Sequence, residues 1–421
     1  MGIHAIQVRR SAPGLDRDLQ PRPSPPSVSR LNNFDFLRFS LATLVIFSHS
    51  FDLLHGRESN PIIMASHGQT ELGSVAVDGF FILSGFLITM SFLSSRSVGD
   101  YLCRRALRIY PGYLAAAGAS LLFFAPLGMR FSKDFWNWVQ PGEFLMRLPF
   151  LRTYWIPDTF ARNHWPYVNV PVWTIQHEFV CYLLLAILGL TGMLNHRRLV
   201  LTLFVLIYIF YLLQMPFKLW IYNWRELPIG GAPDYYPRFW TYFFVGVLAF
   251  LYRDVIRYRR WAVLLCAAVI LFTALIGRGL DVVLPFALAY VLFSAGFSQR
   301  LQLQHWGRKG DFSYGLYLYG WPVQQSVISL CKPWLNPWFL FAMAFPAALI
   351  FAVGSWHLLE RPFLRLKRVS SVAFANPNAG APGDIASKPF AVAHGRKGRA
   401  SLGAQTSHPA AGGARRFRWH I

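Results

Sequence analysis

The sequence predicts an all-α protein, a polytopic transmembrane bundle of about ten helices. Three observations carry that expectation. Hydrophobic residues make up 54% of the chain and charged residues only 14%, where a soluble domain is about a quarter charged. The apolar residues gather in long runs separated by polar segments, as spanning helices require. Arg and Lys cluster in alternate loops, the positive-inside pattern of membrane proteins. The formal net charge of +22 is therefore spread over loops and termini. It builds no basic domain for nucleic acid, and anionic lipid is the partner it fits.

Residues 1–33 are rich in Arg, Pro and Ser and are expected to form a disordered cytoplasmic arm. A transmembrane domain over 34–368 follows. Its spans are predicted at Asp35–Leu54, Val75–Leu93, Tyr110–Leu127, Val172–Leu190, Leu199–Leu213, Phe239–Tyr252, Trp261–Ile276, Val282–Phe297, Phe312–Leu330 and Trp338–Leu358. The first is too long for a signal peptide, carries ionisable residues and lacks a small-residue cleavage site, so it is retained. Residues 369–421 lack apolar periodicity and read as a disordered basic cytoplasmic tail. Arginines such as Arg104, Arg105, Arg108, Arg253 and Arg361 fall on the side of both termini, which places that side in the cytoplasm. The long loop 128–171 is assigned to the opposite side. Its Trp136, Trp138, Tyr154, Trp155, Trp165 and Tyr167 serve either as interfacial anchors or as a stacking platform for sugar rings. Cys103, Cys181, Cys266 and Cys331 form no CxxC pair and read as packing residues. No metal-ligand spacing, P-loop or GxSxG occurs.

Ionisable groups inside spans are costly and mark candidate sites. The first span holds Asp35, Arg38 and His49. Eleven positions from Arg38 to His49 amount to about 16 Å along a helix, roughly half the hydrocarbon thickness. A neutral His at that depth suits a general base, although a structural hydrogen-bonding role is the plain alternative. Arg105 and Arg108 lie three apart, so on a helix they share a face and can grip phosphate together; a topogenic cluster is the alternative. Glu178 opens the fourth span in Trp173-Thr174-Ile175-Gln176-His177-Glu178 and must be paired, protonated or facing a cavity.

Taken in order, these residues resemble the acyltransferase-3 family of bacterial integral-membrane acyltransferases. Asp35-Phe36-Leu37-Arg38 with His49 matches its first-helix motif, an Arg followed after ten residues by His. Asp78-Gly79-Phe80-Phe81-Ile82-Leu83-Ser84-Gly85-Phe86 matches its second helix, and Arg105 with Arg108 its RxxR element. Trp173 with Glu178, Ser313-Tyr314-Gly315-Leu316-Tyr317-Leu318 and Glu360-Arg361-Pro362-Phe363 match its later signatures. Gly320 stands where the family often has a His. Relatives sometimes carry an extra esterase-like domain, which this sequence is not expected to contain.

The resemblance implies an enzyme that moves a short acyl group, commonly acetyl, from cytosolic acyl-CoA to a hydroxyl of a glycan, lipid-linked sugar or glycoside in the bacterial inner membrane. Acyl-CoA would be a co-substrate, with no tightly bound cofactor and no metal. His49 would be the base, Glu178 would orient it or bind acceptor, and Asp35 completes the catalytic set. Arg38, Arg105 and Arg108 would hold the donor. Direct attack and an acyl-histidine relay both remain open. The rival classes are a transporter or flippase for a lipid-linked glycan, which would release no CoA, and a non-catalytic scaffold, in which replacing His49 would change only stability.

Overall fold

The computed structural model describes residues 32–129, 140–154, 156, 159–214, 230–308, 310–332 and 334–365. Nearly all of the expected arm, the tail 369–421, and Trp136, Trp138 and Trp155 lie outside the described residues.

Among the described residues, ten long helices occupy the predicted spans. They are α1 (Phe34–His55), α2 (Leu72–Leu93), α3 (Val98–Gly128), α4 (Trp173–Leu190) and α5 (Arg197–Gln214), then α6 (Tyr236–Leu251), α7 (Arg260–Leu275), α8 (Leu280–Phe297), α9 (Ser313–Cys331) and α10 (Pro337–Arg365). Seven of them are long and apolar enough to cross a membrane, which makes this a multi-pass membrane protein. The shorter α7 is equally apolar and has no buried residue; Trp261, Leu264 and Phe272 point outward, as a lipid-facing helix requires. α9 has the opposite character. Gln324, Gln325 and Ser326 lie on it, and all three are buried inside the bundle.

The third helix starts at Val98 and not at Tyr110. Ser97 caps it, accepting from the Asp100 backbone N–H at 3.1 Å. Its first turns carry Arg104, Arg105 and Arg108, so an apolar run cannot mark where it begins.

α1 is central and packs on α2, α9 and α10. α2 in turn packs tightly on α6. A Cβ at Gly85 would come within 2.0 Å of the Phe243 carbonyl oxygen, and one at Gly246 equally close to that of Ile82. Only glycine at both positions allows these backbones to touch. A buried ion pair ties the same two helices: Arg238 donates to both carboxylate oxygens of Asp78, at 3.0 and 2.9 Å. Pro322 removes a backbone donor from the middle of α9, freeing the carbonyl four residues earlier. That carbonyl, Leu318, accepts from the Asn169 side chain at 2.9 Å, which pins the loop before α4 onto the bundle.

Candidate active site

The polar residues of the bundle gather at two levels. The first is the end where α1, α3 and α9 begin, with Arg38 on α1 and Arg108 on α3. Asp311, in the loop before α9, joins three elements there. Arg38 of α1 reaches its Oδ2 at 2.6 Å and Arg108 of α3 reaches the same oxygen at 2.5 Å. Ser313 donates to the other oxygen from its backbone N–H at 3.2 Å and from its hydroxyl. Burial pushes the Asp311 carboxyl up, but the two guanidinium groups and the Ser313 hydrogen bonds outweigh it and hold it well below the usual carboxylate range. Arg108 is further flanked by Glu360 of α10 at 3.7 Å and lies over the Tyr314 ring. A π turn, Trp356–Glu360, carries Glu360 into the interior, where the Ser355 hydroxyl donates to it at 3.2 Å.

Arg105 takes a different direction. Its guanidinium donates to the Ser91 hydroxyl at 3.1 Å, and its Nε is buried without a hydrogen-bond partner among the described residues. Arg104 pairs within its own helix with Asp100 at 2.7 Å. Arg105 is thus the arginine of this cluster with no carboxylate partner among the described ion pairs. The expected shared grip of Arg105 and Arg108 becomes a division, with Arg108 committed to carboxylates and Arg105 not.

Glu178 belongs to this same level. Ser84 and Tyr182 donate to its Oε1 at 2.9 and 2.5 Å. It lines a narrow cavity of about 50 Å³ with Arg38, Phe80, Ser313, Tyr314 and Tyr317, room for a few waters only. The register of α1 against α2 fixes the depth. Gly73 faces Ser48 and Gly79 faces Leu41, so Ser84 lies level with the first turn of α1. Glu178 is therefore brought to Arg38 and not to His49. Asp35 sits at the start of α1, beside Gly307, and lies about 21 Å along the helix from His49. The structure does not bring Asp35 or Glu178 to the imidazole.

His49 occupies the second level, near the other end of α1. Its ring meets the Trp321 ring edge-on, with centroids 5.0 Å apart. Its Nδ1 is buried and stands 3.6 Å from Oδ2 of Asp52, one turn later. Asp52 is itself held by the Asn60 side chain, which donates at 3.0 Å. Described residues of the aromatic loop before α4 close over this turn. Trp165 donates from its indole to the Asp52 carbonyl at 3.1 Å, and Tyr154 is buried against Ser120 and Asn169. Gln324 of α9 donates to the Ile46 carbonyl and the Ser50 hydroxyl, both at 2.8 Å. The departure at Gly320 has a steric reason: a Cβ there would lie 2.7 Å from Ile46 Cγ1. With α1 and α9 this close, a larger side chain at that position requires Ile46 to move.

Sequence reasoning missed Asp311 and Asp52. Asp311 reads as an ordinary acidic residue ahead of a helix, and its partners are far away in the chain. Asp52 was within reach, because positions i and i+3 share a helix face. Arg238 was missed because nothing local couples it to Asp78.

The described residues form the helix bundle of a multi-pass membrane protein, with an arginine cluster at one level and an imidazole at another. Residues 31–357 match the family model described as an acyltransferase domain, and the chain belongs to that acyltransferase-3 family. It is 25% identical over 350 residues to the O-acetyl transferase of Shigella phage Sf6, covering 79% of this chain and 96% of that protein. It is also 25% identical over 383 residues to nodulation protein 10 of Rhizobium leguminosarum bv. viciae, covering 81% and 95%. Acyltransferase MdmB of Streptomyces mycarofaciens is 29% identical over 162 residues, 38% of this chain and 39% of that one. No solved structure matches the chain.

Proposed function

We propose that this protein is an O-acyltransferase that moves an acetyl or other short acyl group from cytosolic acyl-CoA to a hydroxyl of a glycan, lipid-linked sugar or glycoside. The observation that carries this reading is an imidazole set into the helix bundle eleven positions beyond Arg38, in a chain of the acyltransferase-3 family. The arginine level faces the cytoplasm of a bacterial inner membrane, with both termini on that side. Arg105 meets the anionic nucleotide end of the donor. Arg38 and Arg108, paired with Asp311 and flanked by Glu360, form the wall of the entry. The thin pantetheine arm parts Phe80 and Tyr317 of the narrow cavity and carries the thioester towards His49.

At that depth His49 takes the proton from the acceptor hydroxyl as its oxygen attacks the thioester carbonyl. The C–S bond breaks on collapse, and the proton returns from the imidazolium to the leaving thiolate. A positioned base of this kind contributes about 10²–10⁴-fold. Donor and acceptor then approach from opposite faces, which accounts for a transferase so fully embedded in lipid.

The test is transfer in sealed proteoliposomes of known orientation. Acetyl-CoA supplied only to the Arg105 face should acylate an acceptor supplied only to the other face, with release of CoA thiol. Acceptor crossing the membrane without CoA release would support a flippase instead. Transfer that needs both substrates on the Arg105 face would overturn the sidedness.

A further inference from the structure

We propose that Asp52 is a positioning residue for His49, fixing the tautomer of its imidazole and stabilising the imidazolium that forms during transfer. The inference rests on the reading of His49 as the general base.

The geometry begins with the helix. His49 and Asp52 lie three apart on α1, so their side chains fall on one face. The Asp52 Oδ2 is 3.6 Å from Nδ1, just beyond hydrogen-bond length, and Nδ1 has no other hydrogen-bond partner among the described residues. A buried ring nitrogen with one carboxylate in front of it has one obvious use. A small closure puts the proton on Nδ1 and leaves Nε2 as the basic nitrogen. Such contacts are often long in the substrate-free state and tighten on binding.

Asp52 is held as a fixed group would be. It is 7% exposed. Its other oxygen, Oδ1, accepts from Asn60 Nδ2 at 3.0 Å, and the same nitrogen also approaches the Ser48 hydroxyl at 3.4 Å. Asn60 is in turn locked, because its Oδ1 caps the short helix Pro61–Ala65 by accepting from the Ile62 N–H at 3.0 Å. The Asp52 backbone carbonyl is braced by Trp165. The Trp321 ring, set nearly perpendicular at 5.0 Å between centroids, limits rotation of the imidazole. The carboxylate is thus aimed by groups that do not themselves touch the ring. A buried carboxylate here also lowers the cost of placing an imidazolium in a low-dielectric bundle.

The experiment compares Asp52→Asn, Asp52→Glu, His49→Ala and the double variant Asp52→Asn with His49→Ala, each purified in detergent. Readouts are kcat and the apparent KM for acetyl-CoA, with thermal unfolding as a check on the fold. Asp52→Asn keeps the shape and can still accept from Asn60. It should lower kcat on the order of 10²-fold or more, as the wrong tautomer does elsewhere, while KM for acetyl-CoA stays within about twofold. Asp52→Glu should recover part of the loss. The double variant should be no slower than His49→Ala alone, because residues acting as a unit are not additive. If Asp52→Asn fails to insert, Asp52→Glu carries the test, and a lowered kcat at unchanged KM supports the proposal. Wild-type kcat in a folded Asp52 variant, or a double variant slower than His49→Ala by the full Asp52 factor, overturns it. Wild-type turnover by His49→Ala instead overturns the general-base reading itself, so the two failures are distinguishable.

Discussion

The arginine level and the His49 level are built from the same kinds of residue and are finished differently. Around Asp311, both guanidinium groups lie within 2.6 Å of one oxygen, and Ser313 satisfies the other. Around His49, the facing carboxylate stops at 3.6 Å and Nδ1 is left open. Glu360 Oε2, 3.7 Å from Arg108, is the carboxylate oxygen at the first level without a hydrogen-bond partner among the described residues. The contrast therefore lies between the satisfied Asp311 carboxylate, which locks helices in place, and the open contact at His49, which under the proposed function a substrate completes. The comparison also divides the arginines. Arg38 and Arg108 belong to the lock, whereas Arg105 keeps an Nε without a hydrogen-bond partner among the described residues and, under the proposed function, is the group that meets the donor.

The most forceful way to break this contrast is at its reactive pole. His49→Ala should insert and accumulate normally yet lose transfer by about 10²–10⁴-fold, measured as CoA thiol release. Normal turnover in that variant would reduce His49 to a packing residue.

The structural pole is broken at Asp311. Asp311→Ala leaves two arginines facing each other in the bundle interior, and should cost about 3–5 kcal/mol of stability, as loss of one partner of a buried pair does. The measurement is thermal unfolding in detergent. An unchanged midpoint would show that the cluster does not lock the helices.

A third substitution sharpens the division between neighbouring arginines. Arg105→Ala should raise KM for acyl-CoA about 10-fold or more, the value of a lost charged hydrogen bond, with little change in the unfolding midpoint. Arg105→Lys should restore only part, since an ammonium lacks the planar fork. Arg108→Ala should do the reverse, lowering the midpoint more than donor affinity. Identical behaviour of the two variants would return both to a shared phosphate grip.

The smallest effect is in the acid range. The Asp311 carboxyl is depressed in the folded protein relative to about 3.9 when unfolded. Its contribution is therefore complete above the unfolded value and is lost as pH falls through the folded one. This group should therefore give the unfolding midpoint no pH dependence between about pH 5 and 7, where its contribution is complete, and should make the midpoint fall below about pH 4. Asp311→Asn should remove that part of the acid dependence. An equal acid slope in the variant would assign it to other carboxylates.

Read alone, the sequence determined the helical bundle and the approximate places of about ten helices, the start of the third excepted, and it offered the ordered set Arg38, His49, Arg105, Arg108 and Glu178 as candidates. Hydropathy and charge act over one helix length, so they are written in consecutive residues. Only the tertiary structure decided which of those residues meet. Arg38 and Asp311 are 273 positions apart, and no local pattern couples them. Glu178 falls at the level of Arg38 because α2 runs against α1 in a register set by Gly73 and Gly79. Gly320 lies where α9 comes close to Ile46, so a Cβ there would press on that side chain. Contacts of this kind depend on how helices slide and rotate against one another. That is settled by side-chain packing across the whole bundle, which no single segment of the chain contains.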